Sequence, residues 1–142
     1  MRIAIIGGPL RGKSTLAQKL GRERKVQVWC ADPRSKVRQV LPGVKYLPES
    51  LDFRGERGAA AYVARHWLNR PGSWIVEGHA VAEALDRWLL AHPGQPAPVE
   101  EVHVRTGAPY GVETYLQAKL AEEVARVWAT IASHPALRGR LR

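Results

Sequence analysis

The nonapeptide Gly7-Gly8-Pro9-Leu10-Arg11-Gly12-Lys13-Ser14-Thr15 constrains this chain more than any other stretch. The apolar run Ile3-Ala4-Ile5-Ile6 precedes it and Leu16-Ala17-Gln18-Lys19-Leu20 follows it. The order reads strand, glycine-rich loop, helix, with the spacing G-x-x-x-x-G-K-[ST]. Gly7 and Gly12 permit backbone angles that a Cβ would forbid, so successive N–H groups can converge on an anion. A helix opening near Lys13 adds its positive end. Lys13 can reach the β- and γ-phosphates of a nucleotide, and the Ser14 hydroxyl suits the shell of a Mg²⁺ ion. The stretch from Gly7 to Thr15 is thus expected to cradle the phosphates of ATP or GTP rather than form an empty turn.

The rest of the chain alternates in the same way. Val26 to Cys30 reads as a second strand, and Asp32-Pro33 as the start of a short helix that ends before Pro42-Gly43. Val44 to Leu47 has the composition of a short edge strand stopped by Pro48. Glu56 to Asn69 carries a helical apolar stripe of Ala60, Val63, Ala64, Trp67 and Leu68. A third main strand runs over Trp74-Ile75-Val76, a helix over Val81 to Ala91, and a fourth strand over Val99 to Arg105. A long helix over Gly111 to Ser133 closes the chain. The first helix is expected to stop at Gly21, and the arginines at 138, 140 and 142 to form a frayed tail. This alternation predicts a single α/β domain over 1–142, with a four-stranded parallel sheet in the order 2-3-1-4 and helices on both faces.

Composition narrows the partners. The formal charge is +9, from 22 Lys and Arg against 13 Asp and Glu, which suits nucleotides or nucleic acid. The lone Cys30 excludes an internal disulfide and implies a reducing, cytoplasmic setting. No apolar run is long enough to span a bilayer, and the N-terminal one is too short for a signal peptide.

In parallel sheets ligands sit at the carboxyl ends of strands. Those ends carry Gly7–Gly12, Asp32–Arg34, Glu77–His79 and Arg105–Gly107, all expected over one crevice. Asp32 and Glu77 each follow an apolar strand, so either can hold Mg²⁺ or accept a hydroxyl proton. Both also suit plainer roles, Asp32 as a helix cap and Glu77 beside a helix dipole. Arg34 fits a clamp on an acceptor phosphate, or a surface arginine. Arg105 fits a transition-state charge stabiliser and His79 an acceptor contact. Arg11 lies nearer the transferring phosphate, unless it points to solvent. Trp67, Trp88 and Trp128 sit at core spacing and are expected to pack rather than stack on bases.

With GGPLRGKST, with ADPR after the second strand and with WIVEGHAVAEAL at the third, the chain resembles the small P-loop kinases. These are the adenylate-kinase-like nucleoside, nucleotide and polynucleotide kinases, and the compact bacteriophage members are the nearest in pattern. The resemblance implies a three-layer P-loop NTPase fold, with ATP and Mg²⁺ on Lys13, Ser14 and Thr15. It also implies an acceptor or base role for Asp32, and metal or acceptor support from Glu77. The implied reaction moves a γ-phosphoryl group to a nucleotide, a nucleoside or a nucleic-acid 5′-hydroxyl. Thr106 to Tyr110 is short for the arginine-rich lid of such enzymes, and no further strand is read after it. The alternative is therefore a nucleotide-dependent accessory ATPase or binding protein, acting on nucleic acid or a protein partner.

Overall fold

The structure, a computed structural model, describes residues 1–32, 40–50 and 55–142. Strand β1 spans Arg2–Gly7, helix α1 Lys13–Arg24, β2 Gln27–Cys30 and β3 Val44–Tyr46. Helix α2, Gly55–Tyr62, runs into a π-helical turn at Val63–Trp67. Then come β4 (Trp74–Gly78), α3 (Val81–Ala91), β5 (Glu101–Arg105), α4 (Tyr115–Ile131) and a 3₁₀ turn at Pro135–Leu137. Arg34 and the short helix expected after Asp32 lie outside the described residues.

All strand pairs are parallel and the sheet order is β3-β2-β4-β1-β5. The four expected strands keep their expected order, but among the described residues the sheet has five strands. The correction is at the edge: Val44–Tyr46 pairs with β2, Val28 opposite Val44 and Cys30 opposite Tyr46. Three residues give little periodicity to read.

The period-2 alternation of β1 divides the core. Ile3 and Ile5 pack with Ala17 and Leu20 of α1, and with Val28 and Ile75. Ala4 and Ile6 face the other way, with Val76, Leu85, Trp88 and Val102. Thus α1 covers one face of the sheet, and α2, α3 and α4 share the other apolar cluster. Trp67 and Trp88 are buried and Trp128 is half-buried against this cluster, as packing groups.

Several boundaries differ from the sequence reading. Helix α1 passes Gly21, whose carbonyl accepts from the Lys25 and Val26 N–H groups, and stops at Lys25 with φ 54°. Helix α4 starts at Tyr115, not Gly111, because Thr114 and Gln117 form a reciprocal capping box. At Val63–Trp67 one extra residue enters the turn, and the Leu68 N–H reaches the Val63 carbonyl at 2.9 Å. The wider turn buries Val63, Trp67 and Leu68 together, and Trp67 meets the Trp29 ring edge-on at 5.1 Å.

The arginine-rich end is not a frayed tail. The Val102 N–H donates to the Arg140 carbonyl at 2.8 Å, and the Arg142 N–H donates to the Val102 carbonyl at 2.9 Å. The Arg140 guanidinium also reaches the Val99 carbonyl at 2.8 Å. This one parallel bridge, Val102 to Leu141, covers the β5 edge that would otherwise present unpaired backbone. Deleting residues 140–142 is expected to cost about 2 kcal/mol, from two backbone bonds and one charged bond. Scanning calorimetry should show a midpoint several degrees lower; an unchanged midpoint would mean a tail without structural weight.

Candidate functional site: a phosphate loop roofed by the fourth helix

The loop between β1 and α1 has two residues of positive φ, Leu10 at 59° and Gly12 at 74°. For a leucine that conformation costs about 1 kcal/mol, and such strain collects where a loop is shaped for a ligand. Gly8 has a different reason to be glycine. A Cβ there would lie 2.6 Å from Ala121 Cα, so α4 lies directly against the loop. Lys13 is buried, and its Nζ donates to the Gly8 carbonyl at 2.8 Å, folding the side chain back across the loop. Ser14 and Thr15 are exposed on the first turn of α1.

The pleat places Glu77. Along β4, Ile75 belongs to the α1 side of the sheet, and Glu77, two residues on, shares that side. Its register partners are Ile5 on β1 and Cys30 on β2, so it occupies the middle of the sheet. The start of α1 lies above it, and the Ser14 hydroxyl donates to Glu77 Oε1 at 3.4 Å. Glu77 is buried, and among the described residues its Oε2 has no hydrogen-bond partner. Burial pushes its pKa from 4.5 up to about 7, and the charge of Asp32 adds to the rise. Lys13, Cys30 and Ser14 oppose it. The buried Cys30 thiol is pushed far up by burial and by the two carboxylates, which makes it a poor nucleophile.

Asp32 sits at the end of β2 beside this group. Its Oδ1 accepts the His79 N–H at 2.7 Å and lies 3.4 Å from His79 Nδ1. The approach is so close that a Cβ on Gly78 would fall 2.9 Å from Asp32 Oδ1. A cleft of about 320 Å³ joins Lys13, Ser14, Asp32, Glu77 and His79.

Two expected site residues are elsewhere. The Arg105 guanidinium donates to the carbonyl of Val104 on its own strand, and Arg105 is not among the described residues lining the cleft. Arg11 points neither to solvent nor into the cleft. Its NH1 donates to Glu113 Oε2 at 2.6 Å and to the Pro9 carbonyl at 2.8 Å, and its Nε to the Gly107 carbonyl at 3.0 Å. Conversely, Tyr46, Tyr110 and Gln117 line the cleft although no motif singled them out. They arrive from an edge strand and from the segment after β5, which no spacing rule ties to the loop.

The Ser14–Glu77 pair suits a Mg²⁺ ion: a hydroxyl and a buried carboxylate face each other, with one carboxylate oxygen still unmatched. Among the described residues no group of three or more His, Cys, Asp or Glu is placed to hold a metal ion. No helix among the described residues is long and apolar enough to cross a membrane.

The fold, a parallel sheet with helices on both faces, is similar to that of a solved kinase structure. No protein-family model matches the chain, and no curated protein matches it. The structure is similar to shikimate kinase from Aquifex aeolicus vf5, with a TM-score of 0.53 at 20% identity over 92% of this chain and 82% of that one. Shikimate kinase from Bacteroides thetaiotaomicron aligns over 99% and 84% of the two chains, at 16% identity and a TM-score of 0.45. The expected likeness to compact bacteriophage members has no support from the Aquifex match.

Proposed function

We propose that the protein is a P-loop phosphotransferase that uses ATP or GTP with Mg²⁺. The observation that carries this reading is the meeting of Lys13, the Ser14–Glu77 pair and a second carboxylate, Asp32, in one cleft. A binding loop alone needs the lysine and the metal carboxylate. A second acid at the neighbouring strand end is what an acceptor hydroxyl requires.

Each residue has a distinct task in this reading. The loop backbone and Lys13 hold the β- and γ-phosphates in line. Ser14 and Glu77 would hold a Mg²⁺ ion, whose chemistry there would be neutralisation of the phosphate charge. Asp32, fixed by the His79 N–H, takes the proton as the acceptor oxygen bonds to the γ-phosphorus. The bond to the β-phosphate oxygen breaks, and the nucleoside diphosphate leaves with that electron pair. His79 orients Asp32 and lines the acceptor side. The acceptor is proposed to be a nucleotide, a nucleoside or a 5′-hydroxyl of nucleic acid. Shikimate, for which the matched enzymes are named, belongs in the same panel.

Labelled ATP incubated with each of these acceptors tests the reading. A labelled product is expected with at least one, and Asp32→Ala should reduce its formation about 100-fold, the scale of a lost general base. Hydrolysis stimulated by DNA with no labelled product would instead identify an accessory ATPase.

A further inference from the structure

We propose that Arg11 is a positioning residue: its guanidinium staples the segment 107–114 onto the phosphate loop, so that Tyr110 and Gln117 form a fixed cover over the cleft in place of a moving lid. The proposal rests on the phosphotransferase reading of the cleft. The staple itself stands on separate observations.

An arginine within a phosphate loop is expected to address the phosphates. Here three bonds consume it, to Glu113, Gly107 and Pro9, and only a tenth of its side chain remains exposed. The first two partners lie on the segment after β5, and the third lies on the loop. A single planar group thus joins the two, as a guanidinium fork can and an ammonium cannot. A backbone bond runs beside it, from the Tyr110 N–H to the Leu10 carbonyl at 2.9 Å.

Both ends of the segment are also fixed. On one side Gly7 pairs with Arg105 in the sheet. On the other the Thr114–Gln117 capping box starts α4, which meets the loop again where Ala121 faces Gly8. Tyr110 is 76% exposed in all, yet it lines the cleft with Gln117. A group at a cleft mouth that is anchored through its backbone covers without a closing motion. Such a cover keeps water from the γ-phosphate, which is the usual work of a mobile lid.

Glu113→Gln removes the charge of the staple and keeps its shape, and Arg11→Lys keeps the charge and loses the fork. Three measurements on the full chain separate the possibilities: hydrogen exchange at the Tyr110 amide, acceptor-free hydrolysis of Mg·ATP, and Mg·ATP affinity by calorimetry. In Glu113→Gln the Tyr110 amide is expected to exchange about tenfold faster while β1 and β4 stay protected. Hydrolysis should rise about tenfold, with affinity within threefold of the parent. Arg11→Lys should match or exceed Glu113→Gln in exchange and hydrolysis, because an ammonium cannot span Gly107, Glu113 and Pro9 together. Unchanged exchange at Tyr110 overturns the staple. Faster exchange with unchanged hydrolysis, or with affinity lost in step, reduces Arg11 to shaping the loop and overturns the cover. A parent that binds no nucleotide removes the phosphotransferase reading, and the exchange arm still decides the staple.

Discussion

Lys13→Ala is expected to weaken Mg·ATP binding roughly 100-fold, about 3 kcal/mol, while leaving the protein folded. In the free protein the ammonium donates to a neutral partner, the Gly8 carbonyl at 2.8 Å. Binding exchanges that bond for contacts to charged phosphate oxygens, which are about twice as strong. The alanine variant keeps the loop amides and the helix N-terminus, so a residual, weaker affinity should remain. Nor should the fold suffer, since the bond of the Lys13 ammonium runs to the loop itself, at the Gly8 carbonyl. Calorimetric titration with Mg·ATP at constant ionic strength is the direct check. Equal binding by parent and variant would mean that the loop does not act as a phosphate cradle.

Glu77→Gln should separate stability from activity. The carboxyl keeps its proton in the folded protein up to about pH 7, whereas the ordinary value is 4.5. Below pH 4.5 both folded and unfolded chains hold that proton, and Glu77 adds no pH dependence. As the pH rises from 4.5 through 7 the unfolded chain releases it first. The folded state therefore loses stability over that window, by about 3 kcal/mol in all. A glutamine does not titrate, so urea unfolding at pH 5 and pH 8 should show this loss in the parent and not in Glu77→Gln. At pH 8 the variant is then the more stable protein. Phosphotransfer should nevertheless fall about 100-fold, because a neutral amide facing Ser14 holds a divalent cation poorly. Identical pH slopes in the two proteins would refute the buried-acid account. Unchanged transfer would refute the metal role.

The residues legible in advance are those whose role follows from local spacing. The loop from Gly7 to Thr15, its flanking strand and helix, and the order of the four main strands need only periodicity and the handedness of crossovers. The place of Glu77 at the cleft follows in the same way, from an acid that ends an apolar strand in a parallel sheet. The helix Val81–Ala91 begins and ends where its apolar period does. The weak signals were short or non-local. Val44–Tyr46 is three residues long, and the π turn at Val63–Trp67 has the same apolar stripe as an α-helix.

What the amino-acid order determines here is a glycine-rich loop on a parallel sheet with two acids at neighbouring strand ends. Tertiary structure alone decided where the long side chains go. The sequence left Arg11 between a phosphate and solvent, and it meets Glu113, 102 residues away. Arg140 and Arg142 carry no pattern, yet their backbone covers the β5 edge because Val102 has a free N–H and carbonyl there. Local spacing governs backbone angles and the face to which a residue points. A flexible arginine reaches several partners, and only the packed chain determines which of them lies within its reach.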